Sequence, residues 1–269
     1  MRNNIIYISI SLATCVIVGV VYSFYRYYAP PQPKQSYMIN TTPDDTIRIA
    51  FIGDSWAFMH KEHECKIATI LQDSIHTPVK VHSYGVCGLT SKEIYENIFR
   101  DDNFRLFMSK RQYRYCYVSA GINDTYKKMS TSYYQQSMDG IIRFLLANHI
   151  HPILQEIPDY DIQISFEMQK LSKKILRHLS IIINSTPLDC KQIFRDALDE
   201  LIQEKGYSDK LSILRYKSWN DNGKKDLNTL YRNDRLHLND RGYTALDSAI
   251  AKEILTCISS GHNNEFQLE

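Results

Sequence analysis

Five short apolar runs, separated by longer amphipathic stretches, constrain this chain more than any other feature. Ile47-Arg48-Ile49-Ala50-Phe51-Ile52 ends at Gly53. Val79-Lys80-Val81-His82-Ser83, Tyr115-Cys116-Tyr117-Val118-Ser119-Ala120, Pro152-Ile153-Leu154-Gln155-Glu156-Ile157 and Leu211-Ser212-Ile213-Leu214 follow. Short apolar runs closed by turn-forming residues read as buried strands. The stretches between them predict helices near His60 to Ile75, over Ser91 to Arg100, Ser132 to Asn148, Ile164 to Ile183 and Phe194 to Lys205. Asn239 or Asp240 is placed to cap a last helix, roughly Arg241 to Ile258. Strands alternating with helices predict an α/β protein: a three-layer α/β/α sandwich on a mostly parallel sheet of about five strands.

In such open sheets the functional loops gather at the carboxyl ends of the strands. Gly53-Asp54-Ser55, the Gly85 to Gly88 loop and the Gly121 to Asp124 loop all fall there. Ser55 is a candidate nucleophile. Asp234 and His237, in Asp234-Arg235-Leu236-His237, are a candidate orienter and base. A serine hydroxyl attacks poorly until a base takes its proton, and that base works best when a third group fixes its tautomer. Taken singly, Ser55 also suits a helix cap and Asn123-Asp124 an ordinary turn.

The amino terminus has another character. Ile5 to Tyr25 carries no charge and no proline. As a helix its 21 residues span about 31 Å, enough to cross a bilayer core. Tyr22, Phe24, Tyr25, Tyr27 and Tyr28 crowd its far end as an aromatic belt would. A cleaved signal peptide would have a shorter apolar region and a small-x-small site, which is not found. Leu12-Ala13-Thr14-Cys15 resembles a lipoprotein site, but Thr14 is poor before the cysteine and the apolar sequence runs on. Residues 1–28 are therefore expected to be an uncleaved anchor, 29–45 a Pro-rich linker and 46–269 the folded domain. Flanking charges barely orient the anchor. The layout of a short tail before a large domain favours a periplasmic or cell-surface domain.

A net charge of +2 points away from nucleic acid. The cysteines beyond the anchor, Cys65, Cys87, Cys116, Cys190 and Cys257, are odd in number and irregularly spaced, and most are expected as buried thiols. His60-Lys61-Glu62-His63-Glu64-Cys65 holds candidate metal ligands. With no second cluster to complete a shell, this segment reads as a solvated helix face, and no metal or cofactor is expected. The basic residues Arg215, Lys217, Lys224, Lys225 and Arg232 read as a solvated loop.

Four blocks together resemble the SGNH hydrolases of the GDSL esterase/lipase superfamily, over Thr46 to about Ile258. They are Gly53-Asp54-Ser55, Gly88 in Gly88-Leu89-Thr90-Ser91, Gly121-Ile122-Asn123-Asp124, and Asp234 to His237. The resemblance implies a flavodoxin-like fold and roles for each residue. Ser55 is the nucleophile, His237 the general base and then acid, and Asp234 its orienter. The backbone N–H groups of Ser55 and Gly88, with the Asn123 side-chain amide, form the oxyanion hole. Gly88 suits that place because it has no side chain to block an acyl oxygen. Two positions depart from the family pattern. Trp56 replaces the usual leucine after the serine, and Ser83 stands where the second block often begins with asparagine.

The resemblance implies a cofactor-free serine ester hydrolase acting on a small-molecule or glycan ester, most simply an O-acetyl carbohydrate. An O-acyltransferase that passes the same acyl group to a sugar hydroxyl is the alternative. A non-catalytic binding or assembly protein on this fold is the alternative of another class.

Overall fold

The computed structural model describes residues 2–23, 29–32, 34–39, 45–63, 65–184, 186–221 and 223–260. Phe24, Tyr25, Tyr27 and Tyr28 of the expected aromatic belt, and Glu64 of the histidine segment, lie outside them.

Helix α1 (Arg2–Ser23) is long and apolar enough to cross a membrane, and its described side chains from Ile6 to Tyr22 are exposed. The domain then runs through β1 (Ile47–Gly53), α2 (Ser55–His60), α3 (Ile67–Ile75), β2 (Val79–Gly85), α4 (Ser91–Arg100) and α5 (Asp102–Ser109). It continues with β3 (Tyr115–Ser119), α6 (Ile122–Lys127), α7 (Thr131–Ala147), β4 (His151–Gln155), α8 (Ile162–Glu167) and α9 (Leu171–Asn184). It closes with α10 (Lys191–Lys205), β5 (Ser212–Leu214), α11 (Lys224–Thr229) and α12 (Asp240–Ser259).

The strands form one sheet in the order β2-β1-β3-β4-β5, with every neighbouring pair parallel. β3 and β4 are buried along their whole length, as strands covered on both faces must be. Helices α4, α7 and α10 pack together, and α12 packs on α3 and β5. The expected α/β sandwich with a five-stranded sheet is thus the observed one. Because β1 lies between β2 and β3, the chain reverses its winding there, and a crevice opens at the carboxyl ends of these strands.

Several helix boundaries differ from the sequence expectation. The helix expected near His60 to Ile75 is two helices, broken over residues 61–66. Asp54 starts the first one early by accepting the Trp56 N–H, and the second is positioned by Lys66 N–H on the Asp247 carboxylate. The single helix expected over Ile164 to Ile183 is α8 and α9, separated at Met168 to Lys170. Helices α5, α6 and α11 are six to eight residues long, too short to carry a clear apolar period. Residues 29–32 and 34–39, expected as part of an extended linker, lie along α4 and α7, where Tyr37 packs on Phe99 and Phe144.

Candidate active site

Ser55 is the first residue of α2, one residue beyond the end of β1. Asp54, fully buried, caps that helix: its Oδ1 accepts Trp56 N–H at 3.0 Å. The same carboxylate accepts the Ser119 hydroxyl at 3.1 Å and the Asn123 amide Nδ2 at 3.2 Å. One buried acid therefore joins the ends of β1 and β3 and the start of α6. Burial pushes its carboxyl up to about 6, against the pull of the Trp56 N–H, Ser119 and His237.

His237 comes from the far end of the chain. Its Nε2 lies 3.0 Å from Ser55 Oγ, and its Nδ1 lies 2.6 Å from Asp234 Oδ2. Asp234 Oδ1 also accepts the backbone N–H groups of Leu236 and His237, each at 3.0 Å. Burial alone would raise the Asp234 carboxyl. The hydrogen bonds from the His237 ring and the two backbone amides outweigh it and hold the group near about 2. The loop is a small hairpin closed by the Tyr231–Leu238 bridge and by Arg232 N–H on the His237 carbonyl. At its tip Arg235 adopts a left-handed φ of 54°, a conformation that costs a non-glycine residue energy. It is held there by its guanidinium on the Leu227 carbonyl and by Asp161 N–H on its own carbonyl.

Gly88 and Asn123 stand on neighbouring loops. Gly88 has a φ of +82°, and a Cβ added to it would meet nothing within 4 Å. Its backbone conformation, rather than crowding by protein atoms, is what calls for glycine here. The loop is tied down from α6: Lys127 Nζ donates to the Gly88 carbonyl at 2.6 Å and pairs with Glu93 at 3.3 Å. Glu93 closes a capping box with Thr90 at the start of α4. Asp124, also fully buried, accepts Ser91 N–H at 2.8 Å and the Ser91 hydroxyl at 2.6 Å. Burial pushes its carboxyl up to about 6, against the Ser91 hydrogen bonds.

The structure thus brings Ser55, His237 and Asp234 into one hydrogen-bonded line and sets Asn123 beside it through Asp54. Four supporting residues had no role in the sequence reading: Asp54, Trp56, Asp124 and Lys127. Asp54 and Asp124 lay inside the quoted blocks, and their burial is what the sequence did not signal. Trp56 donates its Nε1–H to the Leu236 carbonyl at 3.2 Å and accepts the Tyr243 hydroxyl on its own carbonyl at 3.1 Å. The departure from leucine therefore adds a tie between α2 and the loop that carries His237.

The histidine segment is not a solvated face. His60 is 1% exposed, because it lies on the buried face of α2 with Trp56 and Ala57. Its Nδ1 lies 2.7 Å from the Ser83 hydroxyl and its Nε2 2.7 Å from Asp247 Oδ1, so Ser83 has a partner of its own in place of the expected asparagine. His60, Cys65 and Asp247 lie within 4.8 Å of one another, a set whose atom types suit a divalent cation. Here they hydrogen-bond among themselves, and His63 stacks on Tyr243 with Nε2 3.8 Å from Asp247. Burial, reinforced by the Asp247 charge, pushes the Cys65 thiol up to about 12. Arg215 of the basic segment is paired with Glu156 and Asp199, each at 2.9 Å. Every cysteine is free, with Cys116, Cys190 and Cys257 buried. A hollow of about 380 Å³ between Tyr160, Asp161, Leu188 and Leu227 flanks the base loop and includes none of the five expected site residues.

No family model matches the chain, and no curated protein matches it in sequence. Solved structures do. A GDSL-like lipase from Bacteroides thetaiotaomicron is 16% identical, over 78% of this chain and 88% of that one, with a TM-score of 0.51. An acetyl xylan esterase, AlAXEase, is 16% identical over 77% and 100%, with a TM-score of 0.50. The psychrotrophic esterase EstA from Pseudoalteromonas sp., in a structure inhibited by monoethylphosphonate, is 14% identical over 80% and 100%, with a TM-score of 0.53.

Proposed function

On the SGNH/GDSL hydrolase fold that these likenesses establish, we propose that the chain is a serine ester hydrolase with Ser55, His237 and Asp234 as its triad. The observation that carries this reading is the 3.0 Å separation of Ser55 Oγ and His237 Nε2. Ser55 Oγ attacks the ester carbonyl carbon while His237 Nε2 takes the hydroxyl proton. Asp234, kept ionised by its hydrogen bonds, stabilises the imidazolium that forms. The charge on the carbonyl oxygen is met by the N–H groups of Ser55 and Gly88 and by the second N–H of the Asn123 amide, whose first is held by Asp54. The bond to the alcohol breaks as His237 returns the proton to it. Water, deprotonated by His237, then adds to the acyl group, and the acid leaves with Ser55 restored.

The reading assigns the ester to a carbohydrate, in keeping with the acetyl xylan esterase among the similar structures. It takes α1 as an uncleaved membrane anchor with the domain outside the cytoplasm. Support for the anchor is its length, its apolar sequence and its exposed side chains.

A fluorophosphonate probe tests the chemistry, as a phosphonate inhibits the similar Pseudoalteromonas esterase. Peptide mass analysis should place one adduct on Ser55, and Ser55→Ala should take none. An adduct on another residue, or a folded wild type that stays unlabelled, would sink the proposal.

A further inference from the structure

Residues 29–32 and 34–39 form a strap whose direction fixes where the anchor leaves the domain. At one end Lys92 Nζ, in the first turn of α4, donates to the Ala29 carbonyl at 2.6 Å. One turn further along α4, Glu96 accepts Gln32 N–H at 3.3 Å. Beyond that, Tyr37 packs edge-on against Phe99 at 5.9 Å and tilted against Phe144 at 4.9 Å, with Arg105 over its ring. The other end is pinned by Asn148, which accepts Ile39 N–H at 2.7 Å and donates to the Tyr37 carbonyl at 3.2 Å. Helix α4 begins just after the Gly88 loop, and Asn148 lies between α7 and the start of β4. The strap therefore descends from the carboxyl edge of the sheet, where Ser55 lies, to the amino edge, where β1 begins.

The anchor consequently departs from the catalytic edge. An undocked chain from Ser23 to Ile47 would span up to about 84 Å, long enough to leave the domain unoriented. With the strap docked, only the steps from Ser23 to Ala29 remain, and they reach at most about 21 Å.

Helix α9 supplies an independent observation at the same edge. It packs inside out. Among its described side chains Arg177 is the buried one, with its guanidinium 3.1 Å from the centre of the Tyr126 ring on α6, the helix that carries Asn123. Leu171, Ile175, Leu179 and Ile182 form one stripe on the other side and are 49–73% exposed. An ordinary surface helix turns such a stripe inward. Lys170, just before the helix, and Lys173, on its polar side, are exposed cations. An apolar stripe with exposed lysines on the opposite, polar side is the pattern of a helix lying in a membrane interface, drawn to anionic lipid.

We infer that α9 lies on the bilayer and that, with the strap, it turns the Ser55–His237 site toward the membrane, so that the ester is on a lipid-borne saccharide. This rests on the membrane reading of α1 and on the hydrolase reading of the site. The strap limits the distance, and α9 selects the face.

The test uses the full chain in vesicles of phosphatidylcholine and phosphatidylglycerol, with and without brominated acyl chains. An environment-sensitive fluorophore is attached at Leu171→Cys or, near the amino edge, at Asp73→Cys, with the exposed Cys15 and Cys87 replaced by serine. Brominated lipid should quench the label at 171 about twofold and leave that at 73 unchanged. Ile175→Asp with Leu179→Asp, both at exposed positions, should abolish the quenching at an unchanged Tm. Tyr37→Ser, which loosens the strap, should weaken it. Carbonate extraction of the chain from the vesicles would overturn the anchor reading, and the inference with it. Retention with both labels unquenched overturns the orientation alone. A label at 171 shielded from water but unquenched, in a chain of dimeric mass, would assign the face to a second copy. In each case the phosphonate adduct on Ser55 reports separately on the hydrolase reading.

Discussion

Trp56 Nε1 donates to the carbonyl of Leu236 at 3.2 Å, joining the residue after the proposed nucleophile to the residue before the proposed base. The two stand 180 positions apart in the chain. The indole is fully buried, so this bond is a fixed strut between α2 and the base loop.

Trp56→Phe keeps most of that packing and removes the donor. A lost hydrogen bond of this kind costs roughly 1 kcal/mol of stability. The larger effect should be on turnover, because small displacements of a catalytic pair cost about 10²-fold in rate. Thermal melting and steady-state kinetics on a soluble ester separate the two. A variant that loses stability but keeps its kcat would show that the strut does not position His237.

Asp234→Asn should lower kcat by roughly 10³–10⁴-fold, since the amide no longer enforces the productive imidazole tautomer. KM should change little. The Asp234 carboxyl is held near about 2, below its ordinary value, so its contribution to stability is present above about 4 and is lost as the pH falls toward 2. Acid unfolding of Asp234→Asn should lack that component, which melting between pH 2 and pH 4 measures.

Asp54 and Asp124 act in the opposite sense. Both are raised by burial to about 6, so the folded protein holds protons that the unfolded chain has already released between about pH 4 and pH 6. Their contribution is fully present below the unfolded value and is lost as the pH rises through about 6. Asp124→Asn, neutral throughout, should show a smaller fall in Tm from pH 4 to pH 7 than the wild type. An unchanged slope would mean that Asp124 is ionised in the folded state across that range.

Gly85→Ala should destabilise strongly although the residue belongs to none of the four blocks. A Cβ there would lie 2.5 Å from the Asp54 carbonyl and from the Phe58 backbone nitrogen, atoms that move only if α2 moves. Overpacking of this kind costs about 1–3 kcal/mol. Displacing α2 also shifts Ser55, so denaturant titration and phosphonate labelling rate should worsen together.

The strands were legible because their apolar runs are short and closed by turn residues, and the central ones, β1, β3 and β4, are buried almost throughout. Ser91 to Arg100 was legible as a helix, and its Thr90–Glu93 capping box is a local device that the structure shows in place. α2 was not, because six residues make less than two turns and its cap, Asp54, was read only as part of a motif. Periodicity placed a helix over Ile164 to Ile183 but does not say which face is inside. In α9 the inside face is that of Arg177 and the apolar stripe is outside. Ser55, Gly88, Asn123, Asp234 and His237 were legible as motif residues. Asp54, Asp124 and Lys127 act through contacts between loops, and no local spacing encodes those.

The 3.0 Å contact between Ser55 and His237 joins residues 182 positions apart, and the base loop is followed at once by α12, which packs on α3 and β5. A contact of that sequence separation must wait for nearly the whole chain to be in place. A nascent chain that has emerged only through β5 already carries Ser55, its Gly88 loop and Asn123, yet lacks His237, the proposed base. Phosphonate reactivity of Ser55 would therefore serve as a clock for the completion of folding, starting only when the last helix docks.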